Sequence, residues 1–86
     1  MKLIENHIDH FKNLCDKYPV KRIHLFGSAL NSSFNAKSDL DFLVKFKPIA
    51  LAGYFENYIN FKENLKTLLG RDIDLVEEQT LKNQFL

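Results

Sequence analysis

The chain is short of the features that would carry a small protein out of the cell or into a membrane. One cysteine, Cys15, stands among 86 residues, so no internal disulfide can form and a reducing cytoplasm is the expected setting. No apolar run approaches the roughly 18 residues that cross a bilayer. The opening "MKLIENHIDHFKN" mixes charge into its apolar residues, unlike a secretory leader. An excess of one charge is missing too, since 12 Lys and Arg stand against 11 Asp and Glu. Lys21, Arg22, Lys37, Lys45 and Lys47 are scattered, whereas a polynucleotide grip needs a basic stripe, so direct nucleic-acid binding is not expected. No solenoid repeat, low-complexity tract or linker breaks the chain. With 45% apolar and 27% charged residues, disorder is excluded, and one domain over residues 1–86 with a modest core is expected.

Only two prolines occur, and each marks a boundary. Residues 2–17 carry Ile4, Ile8, Phe11, Leu14 and Tyr18 at steps of three and four, which predicts an amphipathic helix. Pro19 ends it by pushing Tyr18 out of the helical region. "VKRIHLF", 20–26, is rich in β-branched and aromatic residues and predicts a strand. Gly27-Ser28 then turns the chain, and "SALNSSF" is expected to form a short helix capped by Ser28. "DLDFLVKF", 39–46, predicts a second strand, stopped by Pro48. Residues 51–69 predict the longest helix, with Leu51, Tyr54, Tyr58, Phe61, Leu65 and Leu68 on one stripe, and Gly70 closes it. "DIDLV", 72–76, predicts a third strand, and "TLKNQFL" a last helical turn or tail. The order implies an α/β (α+β) domain: a small mixed sheet with helices packed mainly on one face.

Within this frame the aspartates are anomalous. Four of the six lie in two Asp-x-Asp pairs, "DLDFLV" and "DIDLVE". Alternate strand residues share a face, so Asp39 and Asp41 point one way while Leu40, Phe42 and Val44 point to the helices. Asp72 and Asp74 are expected to do likewise, with Ile73 and Leu75 inward. On neighbouring strands, three or four carboxylates would gather on one open face. Like charges so close stay ionised only around something positive. Mg²⁺ suits them, because it takes oxygen ligands at ~2.0–2.1 Å and leaves room for water and phosphates. A single Asp-x-Asp is usually a solvated sheet face. The preceding Gly27-Ser28 alters that reading: glycine lets a phosphate approach the backbone, and Ser28 opens a helix whose free N–H groups attract anions.

Gly-Ser after a strand, ten residues, then Asp-x-Asp on the next strand resembles the minimal nucleotidyltransferases of the DNA polymerase β-like superfamily. Gly27, Ser28, Asp39 and Asp41 fit its G-S-x(10)-D-x-D hallmark without a gap. Asp74, before Leu75-Val76, fits the superfamily's third carboxylate, and Asp72 ranks below it. The resemblance runs from Ile23 to the chain's end. Where many members have a glycine and an arginine after Gly-Ser, this chain has "ALNSS".

The resemblance implies nucleotidyl transfer from ATP with two Mg²⁺ ions. Gly27 and Ser28 would hold the terminal phosphates, Asp39, Asp41 and Asp74 the metal, and Asp74 would activate the acceptor hydroxyl. Small stand-alone members resemble antitoxins of HEPN-domain toxins in type VII-like pairs. This implies adenylylation of a toxin hydroxyl, a tyrosine's, with one or several AMP units. A non-catalytic antitoxin that covers its toxin, or a nucleotide-sensing regulatory subunit, are the alternatives.

Other conspicuous residues invite plainer readings. His7 and His10, spaced i, i+3, are expected on a solvated helix face. His24 is expected to be a satisfied structural histidine near the Gly-Ser turn, and Cys15 to be buried. Tyr54, Phe55, Tyr58, Ile59 and Phe61 make the long helix more aromatic than one neighbour requires, leaving room for a homodimer or toxin interface.

Overall fold

The computed structural model describes residues 2–26 and 39–78. Its layering follows from one strand, β2 (Leu40–Phe46), in which Leu40, Phe42, Val44 and Phe46 are buried while Asp41, Leu43 and Lys45 are only partly covered. A strand that is apolar on one face and mixed on the other needs packing on one side only. β1 (Val20–Phe26) runs antiparallel to it and β3 (Ile73–Glu77) parallel, in the order β1-β2-β3. A parallel neighbour cannot be reached by a tight turn, so the chain crosses the sheet through a helix, α3 (Leu51–Leu69). The fold is thus the expected α+β type, a small mixed sheet with helices on one face.

The core lies between the sheet and the helices. Phe11 from the N-terminal helical region and Phe61, Leu65 and Leu69 from α3 meet Leu40, Phe42, Val44, Phe46, Ile73 and Leu75. Aromatic edges organise it: Phe61 stands edge-on to Phe46 at 5.7 Å between centroids, and Phe46 meets Tyr54 at 5.9 Å and 88°. Such T-shaped pairs set a positive ring edge against a negative face.

The predicted first helix is in fact two, α1 (Lys2–Glu5) and α2 (Ile8–Lys17). The break falls at Asn6-His7. His7 leaves the helical region at φ −123° and donates its N–H to Ile4 O at 3.0 Å, a one-residue-tighter bond. Asparagine is a poor interior residue because its side chain competes for the backbone. The third strand also sits one residue later than predicted, ending at Glu77. Leu51 departs from the predicted core stripe: it is 90% exposed, at the first position of α3. The predicted short helix after Ser28 and the tail 80–86 lie outside the described residues.

α3 ends as expected. Gly70 adopts φ 63° and donates its N–H to Lys66 O at 2.8 Å. A Cβ there would meet no atom within 4 Å, so Gly70→Ala costs only the left-handed backbone strain, about 1–2 kcal/mol. Urea denaturation should show that loss with an unchanged slope.

Candidate active site

The register of the sheet decides which predicted residues meet. Asp41 pairs with Asp74 across the parallel β2–β3 ladder, and with Phe26 across the antiparallel β1–β2 ladder. Both neighbours of Asp41 on its own strand, Leu40 and Phe42, are buried, and so are Ile73 and Leu75 around Asp74. Alternation therefore sends both carboxylates to the face opposite the helices. Asp41 is half-buried and Asp74 exposed. Asp39, also exposed, immediately precedes β2 at the same end. Phe26 is the last residue of β1, so the chain leaves that strand toward Gly27 directly opposite Asp41. Gly27 and Ser28 themselves lie outside the described residues.

Asp72 does not join this group as the alternation suggested. Its Oδ1 lies 3.9 Å from Lys66 Nζ of α3, on the helix side, and its carbonyl accepts the Leu40 N–H at 2.9 Å. The second Asp-x-Asp pair is thus split, with Asp72 turned to a helix lysine and Asp74 placed against Asp41. The expected cluster of three or four carboxylates is reduced to the Asp41–Asp74 pair, because among the described residues no three such side chains, Asp39 included, come within reach of one ion.

Like charges directly opposite across a sheet destabilise it, and Asp41 and Asp74 are such a pair. Their hard oxygen donors suit Mg²⁺, which is commonly held by one or two carboxylates with water and substrate phosphates completing its shell. Among the described residues no three His, Cys, Asp or Glu side chains gather into a metal-holding group. The fit is therefore to an ion shared with a phosphate ligand, not to an all-protein cage.

Other groups near this end escaped the sequence reading. Tyr58 of α3 donates its hydroxyl to the carbonyl of Leu75, the residue after Asp74. Burial, and secondarily the charge of Asp74, push its phenol above the ordinary range, so it is a protonated donor at neutral pH. Phe26, 37% exposed, puts a ring beside Asp41 on the open face. At the sheet's other end Arg22 donates Nε and Nη2 to both oxygens of Glu78, a fork that reaches over β2. The i, i+2 alternation placed Phe26 and Arg22 on this face, but only the pairing of strands 56 positions apart in sequence joins Arg22 to Glu78.

The remaining candidates are elsewhere. His24 is exposed, opposite Leu43 on the open face. His10 is exposed and His7 partly so, both on the first helical segment. Cys15 is partly buried, and burial, with Asp16 adding, pushes its thiol from 9.0 to about 11. The folded thiol holds its proton more tightly than the unfolded one, so stability is intact below pH 9 and falls as pH rises toward 11. Iodoacetamide at pH 7.5 should accordingly alkylate Cys15 about 100-fold more slowly than it does a free thiol titrating at 9.0.

The family model for the nucleotidyltransferase domain matches residues 8–86. A solved structure described as a minimal nucleotidyltransferase superposes with a TM-score of 0.75 at 26% identity, covering 92% of this chain and 78% of that one. The chain belongs to the minimal nucleotidyltransferase family. It is an enzyme of the nucleotidyltransferase class. Among its relatives, protein adenylyltransferase MntA of Thermococcus cleftensis is 35% identical over 74 residues, 86% of this chain and 72% of that protein. MJ1379 of Methanocaldococcus jannaschii, provisionally named a protein adenylyltransferase, is 35% identical over 77 residues, 90% of this chain and 76% of its own. In this nucleotidyltransferase no helix among the described residues is long and apolar enough to cross a membrane.

Proposed function

We propose that this nucleotidyltransferase is a Mg²⁺-dependent protein adenylyltransferase that moves AMP from ATP to a hydroxyl, a tyrosine's, of a HEPN-domain toxin, and so acts as its antitoxin. The observation that carries the reading is the placement of Asp41 between Asp74 and the end of β1. Two carboxylates stand side by side on the open face, next to the end of β1. That layout suits a nucleotide whose phosphates bring a metal ion with them. The names of the relatives support adenylyl transfer to a protein.

In this reading the acceptor oxygen attacks the α-phosphorus of ATP. A new P–O bond forms, the bond to the β-phosphate's bridging oxygen breaks, and pyrophosphate leaves. Asp74 takes the proton of the acceptor hydroxyl. Asp39, Asp41 and Asp74 would hold two Mg²⁺ ions, which when bound would supply positive charge to the transferring phosphoryl group. Gly27 and Ser28 would hold the terminal phosphates at the end of β1. Most of the catalysis is positioning and electrostatics, which a small rigid sheet supplies.

A second reading, neutralisation by contact alone, is favoured by one observation. Leu51, Phe55 and Ile59, one helical turn apart along α3, are 90%, 73% and 37% exposed. An exposed apolar stripe of this kind suits a protein partner, either a toxin or a second copy.

The deciding experiment is the intact mass of a HEPN partner after incubation with the protein, ATP and Mg²⁺, beside an Asp39→Ala/Asp41→Ala variant. Gain of one or more AMP units with the native protein and none with the variant is expected. An unmodified yet silenced partner in a stable complex would establish contact neutralisation instead.

A further inference from the structure

We infer that Tyr58 is a positioning residue for Asp74: its hydroxyl, bonded to the Leu75 carbonyl, sets where Asp74 stands opposite Asp41. The inference rests on the proposed role of these carboxylates and adds a residue to it.

The geometry begins with the direction of the backbone groups of β3. In a parallel pair, alternate residues of one strand turn both N–H and C=O toward the partner. The bond from Leu40 N–H to Asp72 O fixes the phase. Asp72, Asp74 and Val76 face β2, and Ile73, Leu75 and Glu77 turn their backbone groups to the outer edge. β3 lies at the edge of the described sheet, so the ladder holds it from one side only. On the other side the hydroxyl of Tyr58 takes the Leu75 carbonyl. Asp74 lies between the two attachments, its own backbone bonded to β2 and the next carbonyl bonded to α3.

This matters because a short edge strand twists easily, and twist about β3 swings the Cα–Cβ bond of Asp74 relative to that of Asp41. Mg²⁺ demands near-octahedral geometry at ~2.0–2.1 Å and tolerates little such error. Tyr58 is well placed to limit it. Its ring is partly buried against the core, and α3 is anchored by Phe61, Leu65 and Leu69, all buried. The hydroxyl therefore transmits the position of a rigid helix to the residue beside Asp74. Nothing in the sequence marks Tyr58 over Tyr54, one turn earlier on the same helix, whose ring packs on Phe46 instead.

The test compares Tyr58→Phe with Tyr54→Phe, each losing one hydroxyl from α3 and keeping its ring. Mn²⁺, titrated into the full chain together with a non-hydrolysable ATP analogue and followed by electron paramagnetic resonance against the analogue alone, reads the carboxylate pair without any acceptor or turnover. Loss of an outer-shell partner weakens metal sites by about 10-fold or more. Tyr58→Phe should therefore weaken Mn²⁺ binding about 10-fold, and Tyr54→Phe should leave it unchanged. In the AMP-transfer assay Tyr58→Phe should lower kcat/KM for ATP, and Tyr54→Phe should leave it unchanged. Native Mn²⁺ affinity in Tyr58→Phe, or an equal loss in both variants, would overturn the inference. Mn²⁺ bound by the wild type without any AMP transfer would overturn the proposed function and leave the Tyr58 comparison standing. A wild type that binds no Mn²⁺ would overturn both.

Discussion

Asparagine in place of Asp74 should cut AMP transfer about 10²–10³-fold, the usual cost of removing one preorganised electrostatic group, and should not destabilise the protein. The two halves of this result have one cause. Asp74 is exposed and faces Asp41 in register across β2–β3, so the folded chain without metal keeps two negative groups together. Like charges in directly opposed positions destabilise a sheet by up to about 1 kcal/mol. The nearly isosteric Asp74→Asn removes one charge while keeping volume and hydrogen-bonding capacity. In buffer with chelator, its melting temperature should equal or slightly exceed that of the wild type, and the gap should close as salt screens the repulsion. Mg²⁺ added with a non-hydrolysable ATP analogue should raise the wild type's melting temperature by linkage and raise the variant's less. Transfer within threefold of the wild type would remove Asp74 from the reaction. A melting temperature several degrees lower would make it a structural residue.

The largest effect on stability is expected from Phe61→Ala. Phe61 is fully buried and packs on two rings, Phe46 edge-on at 5.7 Å and Tyr18 at 5.9 Å, and Phe46 in turn meets Tyr54. Truncating a buried phenylalanine costs about 3–5 kcal/mol, from lost transfer energy and from the cavity left behind. Whole domains hold only about 5–15 kcal/mol, and a chain this short belongs at the low end. Phe61→Ala should therefore bring the urea midpoint close to zero, or leave the chain unfolded at 37 °C. Phe61→Leu keeps most of the volume and should cost less than about 1.5 kcal/mol. A small loss in the alanine variant would mean that α3 collapses onto β2 without it.

These two sites illustrate different degrees of legibility. Phe61 was readable because a helix repeats every 3.6 residues, so its stripe appears in the sequence as steps of three and four. β2 was readable for a similar reason: Leu40, Phe42, Val44 and Phe46 alternate with Asp41, Leu43 and Lys45, and burial follows that alternation. Gly70 at φ 63° and the end of α3 follow from local backbone preference alone. Where local signals misled, tertiary geometry was the cause. Leu51 fits the apolar stripe of α3 by spacing, yet as the helix's first residue it is left bare. Asp72 and Asp74 look equivalent in "DIDLV", but Lys66 reaches Asp72 from α3 while the ladder places Asp74 beside Asp41.

What the sequence by itself determined is therefore the set of chemical parts and their local form. It supplied Gly27-Ser28 after one strand, Asp39 and Asp41 at the start of the next, Asp74 on a third, and a helix long enough to join the last two in parallel. Periodicity and turn chemistry act over a few residues, and such signals survive in one dimension. Only the tertiary structure decided which carboxylates meet, because strand order and register join residues 33 positions apart, as at Asp41 and Asp74. It also decided that Tyr58, identical in kind to Tyr54, is the tyrosine whose hydroxyl reaches the backbone beside Asp74. Those choices depend on the packing of α3 across β2 and β3, a balance of buried area and backbone pairing that no short stretch of the chain contains.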